Sequence, residues 1–460
     1  MADRVYKSKE EVIETAAGAV GKVLRQFIPR ADIAEVERTL MTYGTDRKGY
    51  FGDLVEKYVF GIDNNARPEA DFSIAGVELK TTPLRKHPKL TYAAKERLVF
   101  SMIDYDKVVA ETWDKSTFLS KNRFLLLLFY LYVQGAKMTD YEFKYSHFLD
   151  LLSDISEEDV LQIRKDWEYI VEKIRRGEAH LLSEGDTYYL GACTKARDSS
   201  VVRDQPRSRV PAKPRAFSLK QQYLNFLIQK RLLGRDISRD SIFRRVRKVA
   251  TIEEAMHVLF APFLVKTDTE IRRIVRWEPE TKPKNYKRLL IDKLLGLDAN
   301  HIEELEKANV TLRVVTLEHT GTLRESISFP AFDYKELVGE PWYDDKREVM
   351  SAFHAELETK KFLFVVFQKQ KRSDDIVLRK VLFWNFPMQD IAEAERVFEK
   401  TKDCIREGRY EDLPKISESR VSHVRPHGQD GSDTIETPQG TQEVRRCFWL
   451  NAKYIQGFLQ

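Results

Sequence analysis

The chain has 460 residues, 42% hydrophobic and 32% charged, so it can bury ordinary cores, and at ~150 residues per domain it predicts two or three domains. Its 77 basic and 72 acidic residues leave a net charge of +5, which permits a nucleic-acid partner without requiring one. Three cysteines without zinc spacing, a charged N-terminus and no apolar run near the ~20 residues of a membrane helix exclude disulfide-stapled, secreted and membrane classes; a cytoplasmic protein is expected.

Helical spacing of Val12, Ile13, Ala16, Val20, Val23, Leu24 and Phe27 predicts a helix over 9–28. A second helix is predicted over 51–60, ended by Gly61. Asn64, Asn65 and Pro68 mark a loop, and Ala75-Gly76 a turn between two short strands. The alternating VELKTT at 77–82 reads as a strand, as do 95–105 and the apolar run 124–133. Residues 157–177 form a long amphipathic helix. A strand and a basic loop follow in GDTYYLGACTKARDSS, then a helix over 216–230. The basic stretch 231–249 has little period and reads as a connector, with helical spacers to about residue 275.

The remainder repeats the first half. AGVELKTTPL at 75–84 lies over ANVTLRVVTL at 308–317, and KERLVFSMIDY at 95–105 over RESISFPAFDY at 324–334. FLLLLFYLY at 124–132 lies over FLFVVFQKQ at 362–370, and AFSLKQQYLNFL at 216–227 over CFWLNAKYIQGFL at 447–459. Four blocks in one order, displaced by roughly 230 residues, mark two copies of one α/β domain. The expected division is a first copy over 1–235, a connector over 236–275 and a degenerate second copy over 276–460. The second copy has Thr311 and Arg313 where the first has Glu78 and Lys80, so only the first is expected to do chemistry.

In a strand, residues two apart face the same way, so Glu78 and Lys80 share one face while Val77 and Leu79 point to the core. A turn at Ser73–Gly76 brings Asp71 beside Glu78. Two carboxylates and a carbonyl oxygen make a hard site that suits Mg²⁺, with Lys80 placed to orient or deprotonate water. Glu56, on one helical face with Asp53, supplies a further carboxylate. The E-x-K triplet alone is weak, because Glu280-Thr281-Lys282 and Glu358-Thr359-Lys360 repeat it. The first lies next to Pro283, and the second sits in a helical pattern without an Asp on a paired strand.

Basic loops follow. Lys195, Arg197, Arg203, Arg207 and Arg209, with Arg215 and Lys220 at the start of the next helix, could hold phosphodiesters or read base edges, or form a solvated surface. Arg425 and His427 occupy the equivalent place in the second copy. His423 with His427 suggests a metal site less than a polar loop, and Cys193 reads as a small packed residue.

At these residues the sequence resembles the MutH family, which comprises a mismatch-repair endonuclease and two-copy type II restriction endonucleases that cut at GATC. KGYFGDLVEKYVFG at 48–61 is similar to the helix carrying the family's glutamate, here Glu56, and begins with Lys48. PEADFSIAGVELKTTPL at 68–84 is similar to the family signature. FLSKNRFLLLLFY at 118–130 resembles the segment with a lysine near the scissile phosphate, here Lys121. RKDWEYIVEKIRRGEAH at 164–180 and the TKARDSS loop continue the likeness. The family's Arg-Pro-Lys base-reading loop appears as Cys193-Thr194-Lys195, so only the lysine carries over, while Arg425-Pro426 keeps the dipeptide in the second copy.

The resemblance implies two tandem restriction-endonuclease-like folds, each a mixed sheet flanked by helices, with a PD-(D/E)xK site in the first. It implies Mg²⁺-dependent hydrolysis of duplex DNA at GATC, before the G. Glu56, Asp71 and Glu78 would hold the metal and Lys80 would serve the water. Lys48, Lys121, Lys195, Arg197, Arg215, Lys220, Arg425 and His427 would face DNA. The second copy would bind a further GATC site, with a dimer on DNA left open. A MutH-like nickase and a non-catalytic DNA-binding regulator are the alternatives.

Overall fold

The computed structural model describes residues 4–43, 49–63, 69–195, 200–235, 240–246, 249, 251–298, 301–344, 349–427 and 431–459. The chain divides into two units, Met1–Ser238 and Arg239–Asp344 with Glu348–Gln460. Lys48 and Arg197 lie outside the described residues.

In the first unit, helix α1 (Lys9–Ala19) starts at Ser8, whose side chain accepts the Glu11 N–H, and buries Val12, Ala16 and Ala19. The apolar spacing runs on to residue 27, yet the helix stops where Gly21 takes φ +82° and donates to Phe143 O at 2.8 Å. Helices α2 (Arg30–Tyr43) and α3 (Tyr50–Val55) follow, and α3 runs into a π-helical turn, Glu56–Phe60, that ends at Gly61. Strands β1 (Glu78–His87), β2 (Thr91–Ala94) and β3 (Leu98–Met102) lead to α4 (Tyr105–Val108) and α5 (Thr117–Asn122). Strands β4 (Phe124–Leu131) and β5 (Glu142–Asp150) precede the long α6 (Glu157–Arg175). Strands β6 (Leu190–Thr194), β7 (Arg203–Gln205), β8 (Ser208–Ala212) and β9 (Arg215–Leu219) and helix α7 (Gln221–Leu227) complete the unit.

The main sheet has the order β2-β1-β4-β5, with β1 parallel to β4 and the other pairs antiparallel. One face buries Val77, Leu79, Leu126 and Leu128 against the N-terminal helices. Each such side chain contributes roughly 1.5–3 kcal/mol when removed from water. A second sheet, β3-β9-β6, and a β7–β8 hairpin stand apart in the ladder. The segment expected to be helix from 216 is first a strand: β9 pairs with both β3 and β6, and that two-sided pairing overrides its helical spacing.

The second unit opens with α8 (Ile252–Phe260), α9 (Asp268–Ile274), α10 (Tyr286–Leu295) and α11 (Glu303–Lys307). Next come β10 (Val310–Leu317), β11 (Ile327–Ala331), α12 (Tyr334–Gly339), β12 (Tyr343–Asp344), β13 (Val349–Met350) and α13 (Ala352–Glu358). Then come β14 (Lys361–Lys369), β15 (Ile376–Asn385), α14 (Ile391–Arg406), β16 (Ser422–Pro426), β17 (Thr434–Glu436), β18 (Gln442–Val444), β19 (Arg446–Leu450) and α15 (Ala452–Leu459). The stretch from 251 to 275, read above as connector, packs on β15. Val265 N–H donates to Leu378 O at 2.8 Å, and Asp268 accepts the Ile376 N–H at 3.0 Å.

The second unit's sheets, β10-β14-β15 and β11-β19-β16, repeat the first unit's connectivity, including the parallel β10/β14 and antiparallel β14/β15 pairs. Gly76 (φ +68°) and Asn309 (φ +56°) turn the chain into the first strand at the same aligned position. Glu78 lies opposite Leu125 and Thr311 opposite Phe362, so Thr311 takes the place of Glu78. The block FLLLLFYLY therefore aligns one residue away from the expectation, with Leu125 over Phe362. An all-apolar strand buried on both faces has no alternation to fix its register. Among the described residues no helix is long and apolar enough to cross a membrane.

Candidate active site

Phe72 and Val77 form a two-residue bridge that closes a turn on Gly76, whose N–H donates to Phe72 O at 2.7 Å. The positive φ there favours glycine. Phe72 packs on Tyr6 and Phe60, with ring centroids 4.9 and 5.2 Å apart, which ties the turn to the end of the π-helix. Asp71 thereby meets the first residue of β1. Its N–H donates to Glu78 Oε2 at 3.2 Å, and its own Oδ2 accepts the Leu79 N–H at 2.9 Å.

Lys80 Nζ donates to Glu78 Oε1 at 2.7 Å and to Phe100 O at 2.9 Å. Lys121, in the last turn of α5, puts its Nζ 3.7 Å from the same Glu78 oxygen. Helix α5 is fixed at its start by Ser116, whose side chain accepts the Leu119 N–H. Glu78 is only 2% exposed. Burial pushes its carboxyl above the usual range and Asp71 adds to that, against the pull of Lys80 and Lys121. Glu56 sits in the π-helical turn. Burial first, then the charges of Asp71, Asp53 and Glu78, push it up to about 7. Single π-turns recur at functional sites.

The structure thus brings together Asp71, Glu78, Lys80 and Lys121, with Glu56 in the same electrostatic field. No group of three His, Cys, Asp or Glu side chains among the described residues is arranged to hold a metal. The expected three-carboxylate set is therefore not assembled as one ligand cluster; the gathered pair is Asp71 and Glu78. That pair still fits Mg²⁺, which needs only one or two carboxylates and keeps its waters. Buried carboxylates that drive each other's protonation are also a field that favours a cation.

The expected DNA-facing residues divide. Arg215 and Lys220 are corrections: they are 3% and 4% exposed. Arg215 donates to Ala192 O at 2.7 Å, and Lys220 Nζ to Thr187 O at 2.6 Å. Arg215 ties β9 to β6 and Lys220 ties the start of α7 to the chain before β6, so both cations are spent inside the fold. Lys195 follows β6, where its N–H donates to Pro214 O at 2.9 Å, and it keeps a partly open side chain. Arg203, Arg207 and Arg209 share one exposed hairpin, β7–β8, locked underneath by buried Gln205, which accepts the Ala179 N–H at 2.7 Å. Cys193 is buried in β6, as expected of a packed residue.

In the second unit Arg425 is exposed, with its guanidinium 3.8 Å above the Trp449 ring centroid. The exposed His427 meets the same ring edge-on at 5.3 Å. His423 is buried on Asn451 (2.5 Å), so the two histidines form no pair for a metal. Sequence reasoning missed Trp449, because nothing local shows that β19 lies beside β16.

Residues 60–166 match the family model described as DNA mismatch repair enzyme MutH. That stretch contains Asp71, Glu78, Lys80 and Lys121. The chain is 29% identical to the type II restriction enzyme Sau3AI of Staphylococcus aureus, over 98% of each protein. It is 27% identical to the DNA mismatch repair protein MutH of Shigella flexneri serotype 5b, over 40% of this chain and 79% of that protein. The MutH protein of Escherichia coli O1:K1 matches to the same extent.

Proposed function

We propose that this chain is a MutH-like type II restriction endonuclease that hydrolyses double-stranded DNA at GATC, before the G. The observation that carries the reading is the convergence of Asp71, Glu78, Lys80 and Lys121 at one strand end inside the MutH-matched stretch. The full-length likeness to a restriction enzyme favours this over a mismatch-repair nickase, since the MutH proteins match only 40% of the chain.

Asp71 and Glu78 would hold Mg²⁺, with Glu56 facing the same space. When bound, the metal would supply charge stabilisation on the phosphate and an acidified water. Lys80, fixed by Phe100 O, would orient that water or accept its proton. Lys121, already drawn to Glu78, would hold the scissile phosphate by charge. Lys195 would reach a base edge. Arg425 and His427 on Trp449 would engage a second GATC duplex, and its binding would favour the cleaving state of the first unit.

Digesting a GATC plasmid in Mg²⁺ and in EDTA, with the ends mapped, tests the reading. Linear products with GATC overhangs in Mg²⁺ alone support it. Nicked circles would favour the nickase, and intact plasmid a non-catalytic binder. Two further results are expected. A two-site plasmid is cut faster per site than a one-site plasmid, a GATC oligonucleotide rescues the latter, and Arg425→Ala abolishes the difference. Lys195→Ala weakens binding to a GATC duplex by ~1–3 kcal/mol beyond its effect on a GATC-free duplex in competition titration; equal weakening would assign Lys195 to phosphate.

A further inference from the structure

At the place where the first unit gathers its carboxylates, the second carries a cluster of the opposite sign. Thr311 stands where Glu78 stands, set by the shared register and the shared positive-φ turn. Two residues on, Arg313 occupies the place of Lys80 and points the same way, its Nη2 3.5 Å from Ser328 O on β11, as Lys80 reaches Phe100 O on β3. Helix α13 answers α5, each capped by a serine, Ser351 or Ser116, and Glu356 falls at the position of Lys121. Lys360 Nζ clasps Glu356 at 2.5 and 2.6 Å. Glu304 precedes Thr311 by the same seven residues that separate Asp71 from Glu78. Its carboxylate is turned away, buried on the Ser241 hydroxyl (2.5 Å) and the Ile242 N–H (3.1 Å).

The consequence is electrostatic. With its carboxylates ionised, the first cluster holds Asp71, Glu78 and Glu56 against Lys80 and Lys121, so a phosphate needs a cation to enter. The second holds Arg313 and Lys360 against Glu356. We propose that this cluster is a metal-independent site for a DNA phosphodiester, with Arg313 as its anchor, Lys360 as the second charge and the Thr311 hydroxyl as a neutral donor. Arg313 is half-buried and its Nε has no hydrogen-bond partner. Burial also holds its guanidinium below the ordinary range, and the charge of Glu356 opposes that. An under-used buried donor is costly until something accepts from it, and the planar fork of arginine matches phosphate oxygens. Lys360 is free to exchange Glu356 for the phosphate, since salt bridges this close to solvent are weak.

The inference rests on the second unit binding DNA, and its test needs no cleavage. The full wild-type chain is titrated in EDTA with a fluorescent GATC duplex, and again with Arg313→Gln, Arg313→Lys and Glu356→Gln. Arg313→Gln is expected to weaken binding about tenfold and to lower the slope of log K against log salt by about one phosphate contact. Arg313→Lys keeps most of the affinity. Glu356→Gln, which removes the opposing charge, tightens binding, an effect that loss of folding cannot produce. No duplex binding by the wild type in EDTA would overturn the proposal, as would unchanged affinity in both Arg313→Gln and Glu356→Gln. Cleavage of the plasmid in Mg²⁺ by the wild type reports separately on the nuclease reading.

Discussion

Glu78→Ala and Lys80→Ala are each expected to lower plasmid cleavage by about 10³-fold or more while binding to a GATC duplex in Ca²⁺ survives. The two changes act on different parts of one bond. Glu78→Ala removes a carboxylate that is nearly fully buried and leaves Asp71 as the remaining half of the cation-binding pair. Losing charge stabilisation of several kcal/mol at the phosphate corresponds to that factor, since each 1.36 kcal/mol is tenfold. Lys80→Ala removes the ammonium held between Glu78 Oε1 and Phe100 O, and with it the group placed to serve the water. Lys121, 3.7 Å from the same oxygen, keeps Glu78 from being left wholly unpaired, so the fold is expected to survive both changes. Circular dichroism checks folding, and quenched time courses give the rates. Cleavage within about tenfold of the wild type by either variant would remove that residue from the chemistry.

Asp166→Ala is expected to destabilise the first unit by roughly 3–5 kcal/mol. Asp166 lies on α6, 2% exposed, and carries no part of the cluster just described. Its carboxylate accepts the N–H groups of Tyr188 (3.1 Å), Tyr189 (2.6 Å) and Leu190 (2.9 Å), and the Gln162 amide at 3.0 Å. Burial pushes this carboxyl up, and the three backbone donors pull against that. Without them the chain entering β6 keeps three buried donors unpaired, each costing about 1–3 kcal/mol. In a unit of this size the melting transition would fall by roughly 10 °C. Asp166→Asn, which retains one accepting oxygen, is expected to lose less. A calorimetric scan resolving the two units reads this directly, and a shift under about 2 °C would show that water replaces the carboxylate.

The sequence alone determined what short-range period and spacing encode. Alternation in 77–82 put Val77 and Leu79 in the core and Glu78 and Lys80 on the opposite face, and the core cluster contains the first pair. The Ala75-Gly76 turn placed Asp71 against Glu78, because a tight reversal leaves an Asp seven residues upstream few other positions. Block order revealed the duplication, and the exchange of Glu78 and Lys80 for Thr311 and Arg313 was visible without coordinates. Tertiary structure decided what depends on distant carbonyls and on sheet register. Arg215 and Lys220 read as DNA-facing from their basic neighbourhood, but a cation's exposure depends on which backbone oxygens the fold brings to it, here Ala192 and Thr187. The 216–230 run gave its helix only from Gln221, because its first residues, to Leu219, are held as a strand between two neighbours. The pairing of Lys121 with Glu78 and the Trp449 ring under Arg425 join residues far apart in the chain, and no local pattern carries that information.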